Sequence, residues 1–134
     1  FRRVLFRSHA GWRGTVKRIV EKTLDKMAEL YGTKGEDVQA YIGPGISLDA
    51  FEVGDEVYEA FEAAGFDMAC IARKDEKWHL DLWKANRMQL LSKGVKKENV
   101  EVAGICTYQN YADFFSARRL GIRSGRILSG IMRM

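Results

Sequence analysis

Residues 9–14, HAGWRG in one-letter code, form the segment whose composition most favours chemistry in this chain. The segment places the imidazole of His9 beside two glycines and a tryptophan. Imidazole nitrogen is a common zinc ligand, and small neighbours leave room for a metal and a substrate to approach the backbone. A histidine that is buried and hydrogen-bonded in the core would fit the same residues. From the residues alone, His9 is a candidate metal ligand, with packing in the core as the alternative.

Three arginines could bind an anionic group of a substrate. Arg13 lies close to His9, and Arg118 and Arg119 follow an aromatic pair at 114–115. A planar guanidinium makes paired, charge-assisted hydrogen bonds to phosphate oxygens. The three arginines are therefore candidates for phosphate or substrate contact, and surface ion pairing is the alternative. The aromatic pair could stack on a base, but we expect it to pack in the core.

Two cysteines and a second histidine complete the reactive side chains. Two cysteines are too few for a disulfide scaffold and fit a reducing cytoplasm. The sequence also allows a single disulfide between Cys70 and Cys106. Cys106 is either a buried structural residue or a nucleophile with a histidine partner. His79 lies between Trp78 and Leu80 on a predicted strand, where we expect a surface or packed side chain.

Helical periodicity predicts three helices that would position these residues. Apolar residues at helical spacing indicate an amphipathic helix over 15–31, with Thr15 as N-cap and Gly32 as its end. A second helix is predicted over 53–64 and ends at Gly65. A third begins after Asp81 as N-cap and ends at Gly94.

Short strands are predicted between these helices. Alternating or continuous apolar residues indicate them over 37–42, 68–72, 78–80, 100–105 and 125–134. A polar hairpin-like loop is expected at 74–77. Alternation of helices and strands predicts one domain of the mixed α/β or α+β class.

The charge of the chain does not favour nucleic acid as a partner. It has 22 basic and 18 acidic residues, a net charge of +4, and the first eight residues hold three of the basic ones. Without those three the excess falls to +1, and the remaining charges are interspersed as on a solvated surface. No run approaches the roughly 18 apolar residues of a membrane span, and residues 1–8 do not read as a signal peptide.

Residues 1–8 are predicted to be non-native. Residues 2–8 translate back into AGA CGT GTG CTC TTC CGA TCT, which resembles a common sequencing-library adapter read in frame. The native sequence would then begin at or near His9. The alternative is a genuine basic strand around Val4–Phe6.

Four motifs, in order, resemble the laccase-domain, YfiH-like purine nucleoside phosphorylase family, whose older name is multicopper polyphenol oxidase. The resemblance covers essentially all of residues 9–134. The motifs are HAGWRG at 9–14; GPGI at 43–46 with FEVGDEV at 51–57; DL at 81–82 with Asn86 and QL at 89–90; and CT at 106–107 with FFSARR at 114–119 and GR at 125–126.

This resemblance implies an α+β fold, a layered α/β/β/α sandwich of the YfiH-like type, of which residues 9–134 would be the C-terminal part. Family members bind a catalytic zinc through two histidines and one cysteine. His9 matches the third ligand. The other two belong to VHG-like and DCxP-like segments that this sequence does not contain, and neither Cys70 nor Cys106 matches the cysteine ligand.

The implied activities are phosphorolysis of adenosine, inosine, guanosine and methylthioadenosine, and deamination of adenosine. Purine nucleoside and phosphate are the expected partners, without nucleic acid or membrane, in the cytoplasm. We expect the 134-residue chain alone to bind zinc poorly and to be inactive, because a catalytic zinc site uses three protein ligands. A copper-dependent polyphenol oxidase and a non-catalytic interaction module are the alternatives, although a multicopper centre needs many more histidines than the two present.

Overall fold

A computed structural model describes residues 4–134 as a mixed α+β fold. Short helices alternate with short strands along this part of the chain. The helices are α1 (Trp12–Val16), α2 (Ile19–Tyr31), α3 (Asp55–Ala63), α4 (Met68–Ile71), α5 (Leu82–Ser92) and α6 (Ala117–Leu120), with 3₁₀ turns at Gly35–Asp37 and Lys97–Asn99. The strands are β1 (Ala40–Ile42), β2 (Glu52–Val53), β3 (Ala72–Lys74), β4 (Trp78–Leu80) and β5 (Val100–Val102).

The strands form two small sheets. Strands β1 and β5 pair in parallel, with Ala40 opposite Val100 and Ile42 opposite Val102. Their pairing resumes beyond the strand ends in a single parallel bridge between Gly45 and Cys106. Strands β2, β4 and β3 form an antiparallel sheet in that order. The predicted polar loop at 74–77 forms the hairpin between β3 and β4, except that Lys74 is the last residue of β3.

Helix α5 contributes to two buried apolar clusters. Leu82 and Ala85 belong to the larger cluster, beside the α3 and α4 side chains and the β2–β4–β3 sheet. Leu90 belongs to the smaller cluster with Val38 and Val95. Because Leu82 and Leu90 are two turns apart on the same helix, one face of α5 joins both clusters. None of the helices within residues 4–134 is long and apolar enough to cross a membrane.

The predicted continuous helix over 15–31 is wrong, because the chain breaks between α1 and α2. Thr15 lies inside α1 and is fully buried, and Gly11 occupies the N-cap position instead. Arg18 has φ 60° and ψ 44°, which ends the helical hydrogen bonding before α2 begins. Gly32 ends α2 in the left-handed conformation, as predicted.

The side chain of Arg18 contacts three neighbouring residues. Its guanidinium donates from Nη2 to the Ala64 carbonyl at 2.8 Å and lies 4.2 Å from the centre of the Phe66 ring. Its Nη1 is 3.5 Å from Glu21. A left-handed conformation costs a non-glycine residue about 1–3 kcal/mol. These contacts offset that cost and tie the α1–α2 junction to the end of α3.

Two predicted strands are also wrong. Residues 68–71 form the single-turn helix α4, because the Asp67 carbonyl accepts from the backbone N–H groups of Cys70 and Ile71, and β3 begins only at Ala72. A short apolar run does not by itself distinguish these two outcomes. Residues 125–134 form neither helix nor strand. Leu128 is 93% exposed, so the apolar side chain that suggested a strand does not pack against the rest of the described structure.

The other predicted elements are confirmed in type, with shifted bounds. Helix α3 starts two residues later than predicted and is followed by Gly65 with φ 82°. Asp81 caps α5 by accepting a hydrogen bond from the Lys84 backbone N–H at 2.9 Å. No strand forms at Val4–Phe6. The adapter origin of residues 1–8 stays a prediction, and residues 1–3 of that segment lie outside the described residues.

Substitution of Arg18 separates backbone strain from side-chain contacts. Arg18→Ala removes the guanidinium contacts and keeps the strain, so we expect a lower free energy of unfolding than in the unsubstituted chain. Arg18→Gly removes the same contacts but relieves the strain. After the greater freedom of glycine in the unfolded chain is subtracted, Arg18→Gly should be more stable than Arg18→Ala by about 0.5–1 kcal/mol in urea unfolding. Equal free energies of unfolding for the two variants, or a more stable alanine variant, would contradict the claim that the backbone is strained at residue 18.

Candidate functional site

His9 lies on the surface, in the segment that leads into α1, so the alternative of a buried core histidine is wrong. Its ring packs against Gly11: a Cβ atom at position 11 would lie 3.1 Å from His9 Nε2. A Cβ atom at Gly14 would lie 3.3 Å from the His9 carbonyl oxygen and 3.4 Å from the Ile19 side chain. The two distances to His9 atoms are shorter than normal van der Waals contact, and the distance to Ile19 is at its lower limit. The two glycines of the HAGWRG segment therefore let the His9 backbone and ring lie close to α1.

Thr15 ties the residues after His9 to the body of the fold. Its backbone N–H donates to the Gly11 carbonyl at 2.8 Å, and its hydroxyl donates to the Ala10 carbonyl at 3.2 Å. Behind Thr15 lie the buried side chains of Asn86 and Gln89 on α5. Both residues are motif positions of the family resemblance, and their place in a motif does not indicate a structural role. Their helical spacing with Leu82 and Leu90 was the signal that they face inward.

The three candidate arginines are stacked on aromatic rings. Arg13 is exposed, and its guanidinium carbon lies 4.6 Å from the Trp12 ring centre. Arg118 lies 5.2 Å from the Phe51 ring centre and donates from Nη1 to the Glu52 carbonyl at 2.7 Å. Among the contacts described for residues 4–134, the three arginines have no partner residue in common. The described contacts therefore do not assemble the three into one anion site.

Arg119 lies between two tyrosines and belongs to the C-terminal motif. Its guanidinium carbon is 5.0 Å from the Tyr108 ring centre and 4.4 Å from that of Tyr111. The expected core packing of the aromatic pair is wrong for Phe115, which is 55% exposed. The Phe115 ring instead packs against Gly125, where a Cβ atom would come within 2.6 Å of it. Phe114 is half-buried.

His79 is packed, and its environment differs from that of His9. The residue is 8% exposed, and its Nδ1 lies 3.0 Å from the Leu48 carbonyl oxygen. Its Nε2 is 3.6 Å from an Asp75 carboxylate oxygen and 3.9 Å from a Glu52 carboxylate oxygen. Because one ring nitrogen is engaged with the backbone inside the fold, His79 acts as a structural contact between the β4 strand and the loop before β2.

Cys70 and Cys106 are free thiols in opposite environments. Burial alone would raise the pKa of the Cys106 thiol, but the Ser47 hydroxyl and the backbone N–H groups of Gln109, Ser47 and Tyr108 outweigh burial, so that the pKa is lowered. The Ser47 hydroxyl lies 3.1 Å from the sulfur and the Ser47 backbone nitrogen 3.4 Å. Donors such as these stabilise the thiolate.

Cys106 has the position of a structural residue. It is 4% exposed, and it forms the β-bridge with Gly45 that extends the pairing of β1 and β5. Within the described part of the chain, no hydrogen bond joins Cys106 to His9 or His79. The nucleophile alternative therefore lacks the histidine partner that it requires.

The described residues do not by themselves fit a zinc ion. Within residues 4–134, no group of three His, Cys, Asp or Glu side chains is arranged to hold a metal. His9 offers an exposed imidazole, which suits one ligand of a site whose other donors lie elsewhere. A catalytic zinc normally has three protein ligands and one open position.

The chain belongs to a known family. Residues 2–134 match the family model described as multi-copper polyphenol oxidoreductase laccase. A similar protein from Bacteroides thetaiotaomicron, named purine nucleoside phosphorylase, is 65% identical over 127 residues, which cover 92% of this chain and 47% of that protein. A protein named adenosine deaminase RL5, from an unknown prokaryotic organism, is 46% identical over 129 residues, which cover 94% of this chain and 49% of that protein.

The fold agrees with the family. The crystal structure of the hypothetical protein YfiH from Bacillus licheniformis superposes with a TM-score of 0.77 at 30% identity and covers 84% of this chain. The match covers 43% of the YfiH chain. The predicted mixed α+β fold of the YfiH-like type is therefore confirmed, and the chain spans about half the length of the curated relatives that it matches.

The buried Cys106 should ionise at a lower pH than the exposed Cys70. In the Cys70→Ser variant, Cys106 is the only cysteine left to titrate, and its lowered pKa means that thiolate absorbance near 240 nm should appear at a lower pH than for a free cysteine. In the Cys106→Ser variant, only Cys70 titrates. A hydrogen bond from its thiol to Asp67, together with the negative charge of that carboxylate, raises the pKa of Cys70. Cys70 should therefore ionise at higher pH.

Ser47→Ala in the Cys70→Ser background supplies the matched control. It removes the hydroxyl donor to the sulfur, so the midpoint of Cys106 should move to higher pH. A midpoint for Cys106 at or above that of Cys70, or one unaffected by loss of the Ser47 hydroxyl, would contradict the assigned hydrogen bonds.

Proposed function

We propose that this chain takes part in the zinc-dependent phosphorolysis of purine nucleosides, with His9 as one zinc ligand. The observation that carries the proposal is His9 itself, whose ring is exposed while the two residues after it are hydrogen-bonded to a buried threonine. The proposed substrates are adenosine, inosine, guanosine and methylthioadenosine. Adenosine deamination is the second proposed activity, and the relative named adenosine deaminase supports it.

Zinc is proposed as the metal, with its other ligands supplied from outside residues 1–134. Imidazole is among the preferred ligands of zinc. When bound, zinc would supply Lewis acidity. This chain's contribution is then to hold the His9 nitrogen in place and leave it accessible. The exposed ring and the anchored backbone support that role.

Phosphorolysis also requires a group that holds phosphate while the glycosidic bond breaks and the ribose carbon bonds to a phosphate oxygen. Among the candidates Arg13, Arg118 and Arg119, the contacts favour Arg13. The Trp12 ring orients its guanidinium, and no hydrogen bond within residues 4–134 uses its donors. Arg118 already donates to a backbone carbonyl, and the exposed guanidinium of Arg119 already lies against two tyrosine rings. We therefore assign Arg13 as the first candidate for phosphate contact.

His9→Ala tests the zinc role in a chimera. The matched segment of the Bacteroides thetaiotaomicron protein is replaced by its counterpart from this chain, and purine release from inosine is measured with phosphate and zinc. We expect bound zinc to fall, and kcat/KM to fall by more than the roughly 10- to 100-fold that is typical of residues that only support a ligand.

His79→Asn in the same chimera is the matched control. The asparagine side chain retains a donor for the Leu48 carbonyl, so zinc content and turnover should stay near those of the unsubstituted chimera. The 134-residue chain alone should show neither stoichiometric zinc nor phosphorolysis. Full zinc content and turnover in the His9→Ala chimera would refute the zinc role.

Arg13→Lys and Arg13→Ala test the phosphate role in that chimera. A lysine retains the charge but loses the planar pair of donors, so both variants should raise the KM for phosphate, with the larger rise in the alanine variant. The KM for nucleoside should change less. Lys22→Ala, which removes an exposed positive charge from α2, is the control and should leave both constants unchanged. An unchanged KM for phosphate in Arg13→Ala would exclude Arg13.

A further inference from the structure

Three polar side chains are buried where α1 meets α5. Thr15 is 0% exposed, Gln89 1% and Asn86 6%. Burial of a polar group costs free energy unless the group is hydrogen-bonded. Within residues 4–134 the amide donors of both Asn86 and Gln89 have partners, whereas Gln89 Oε1 has none. The cluster lies directly behind the segment that carries His9.

The hydrogen bonds of this cluster run in one direction. Gln89 Nε2 donates to the Asn86 Oδ1 at 3.4 Å and to the Thr15 carbonyl at 3.2 Å. Asn86 Nδ2 donates to the Thr15 hydroxyl oxygen at 3.1 Å and to the Leu82 carbonyl at 2.9 Å. A hydroxyl has one hydrogen to donate. Because Asn86 donates into the Thr15 oxygen, that hydrogen is directed to the Ala10 carbonyl.

The chain of hydrogen bonds ends next to His9. Residues 9 and 10 belong to no helix or strand and lack the regular hydrogen bonds of either. Thr15 binds both the Ala10 carbonyl, through its hydroxyl, and the Gly11 carbonyl, through its backbone N–H. Helix α5 is fixed in turn, because its apolar face joins both buried clusters. The position of α5 is thus transmitted through Asn86 and Thr15 to the peptide that follows His9.

We propose that Thr15 and Asn86 are positioning residues, which hold the His9 segment rigid so that its imidazole occupies one place before a metal arrives. The purpose of this positioning rests on the proposed role of His9 as a zinc ligand. A prearranged ligand does not have to be ordered on binding, and residues that orient a ligand affect metal affinity without contacting the metal. Gln89 supports the pair by fixing the orientation of the Asn86 amide.

Thr15→Val tests the proposal in the 134-residue chain. Valine has nearly the shape of threonine but lacks the hydroxyl, so the bond to the Ala10 carbonyl is lost. Backbone ¹⁵N order parameters are measured at His9, Ala10 and Gly11. We expect values near 0.85 in the unsubstituted chain and values below about 0.6 in Thr15→Val. Thr15→Ser keeps the hydroxyl and should restore the order parameters.

Thr23→Val is the matched control. The Thr23 hydroxyl also donates to a backbone carbonyl, that of Ile19 at 2.8 Å within α2, so its loss should leave residues 9–11 rigid. Order parameters around His79 in β4 report whether a variant loosens the whole fold. If Thr15→Val does not give a folded spectrum, Asn86→Leu provides the same measurement from the other side of the hydrogen bond.

Four outcomes overturn the proposal: mobile residues 9–11 in the unsubstituted chain, rigid residues 9–11 in Thr15→Val, equal loosening around His79, or no rescue by Thr15→Ser. A zinc titration of the Bacteroides thetaiotaomicron chimera and of its His9→Ala variant separates this result from the proposed function. Equal zinc binding by the two would count against His9 as a ligand, while the order parameters still decide whether Thr15 and Asn86 hold its segment.

Discussion

The packing of helix α5 is the constraint on which the rest of the described structure depends. Its Leu82 and Ala85 lie in one apolar cluster and its Leu90 in the other, so neither cluster could form with α5 elsewhere. Between these apolar positions the same helix carries two buried amides, Asn86 and Gln89. A buried amide fixes geometry more strictly than an apolar side chain does, because its donors and acceptors require partners in particular directions. Helix α5 therefore determines both where the core lies and how α1 is oriented.

The break at Arg18 follows from that constraint. Trp12 and Val16, on α1, pack against the larger cluster, whereas Val20 and Leu24, on α2, pack against the smaller one. Both α1 and α2 contact α5. A change of direction between them lets each present its apolar side chains to its own cluster. The strain of a left-handed arginine is local, and the guanidinium contacts with the end of α3 offset it.

Local patterns predicted the elements that are determined locally. The Asp81 cap, the glycines that end α2, α3 and α5, and the hairpin loop at 74–77 each depend on residues within a few positions of one another. The patterns failed where distant residues decide the outcome. Thr15 is typical of an N-cap, but its hydroxyl instead bonds to Ala10 and to Asn86, 71 positions away. No glycine or asparagine marks the left-handed position at Arg18, so the helix break left no signal in the sequence.

The candidate site shows the same division. Residue type and motif order single out His9 as a candidate metal ligand, but they do not give the reason why its surroundings differ from those of His79. The fold supplies that reason by the way in which each ring is held. The His79 ring is buried and bonds directly to a backbone carbonyl, so it is held at the ring itself. The His9 segment is held one residue away, through Ala10 and Gly11, while the ring rests on a glycine and stays exposed. A metal ligand requires both a fixed backbone and an accessible nitrogen. Anchoring the neighbouring peptides satisfies the first requirement without burying the ring, and this combination distinguishes position 9 from position 79.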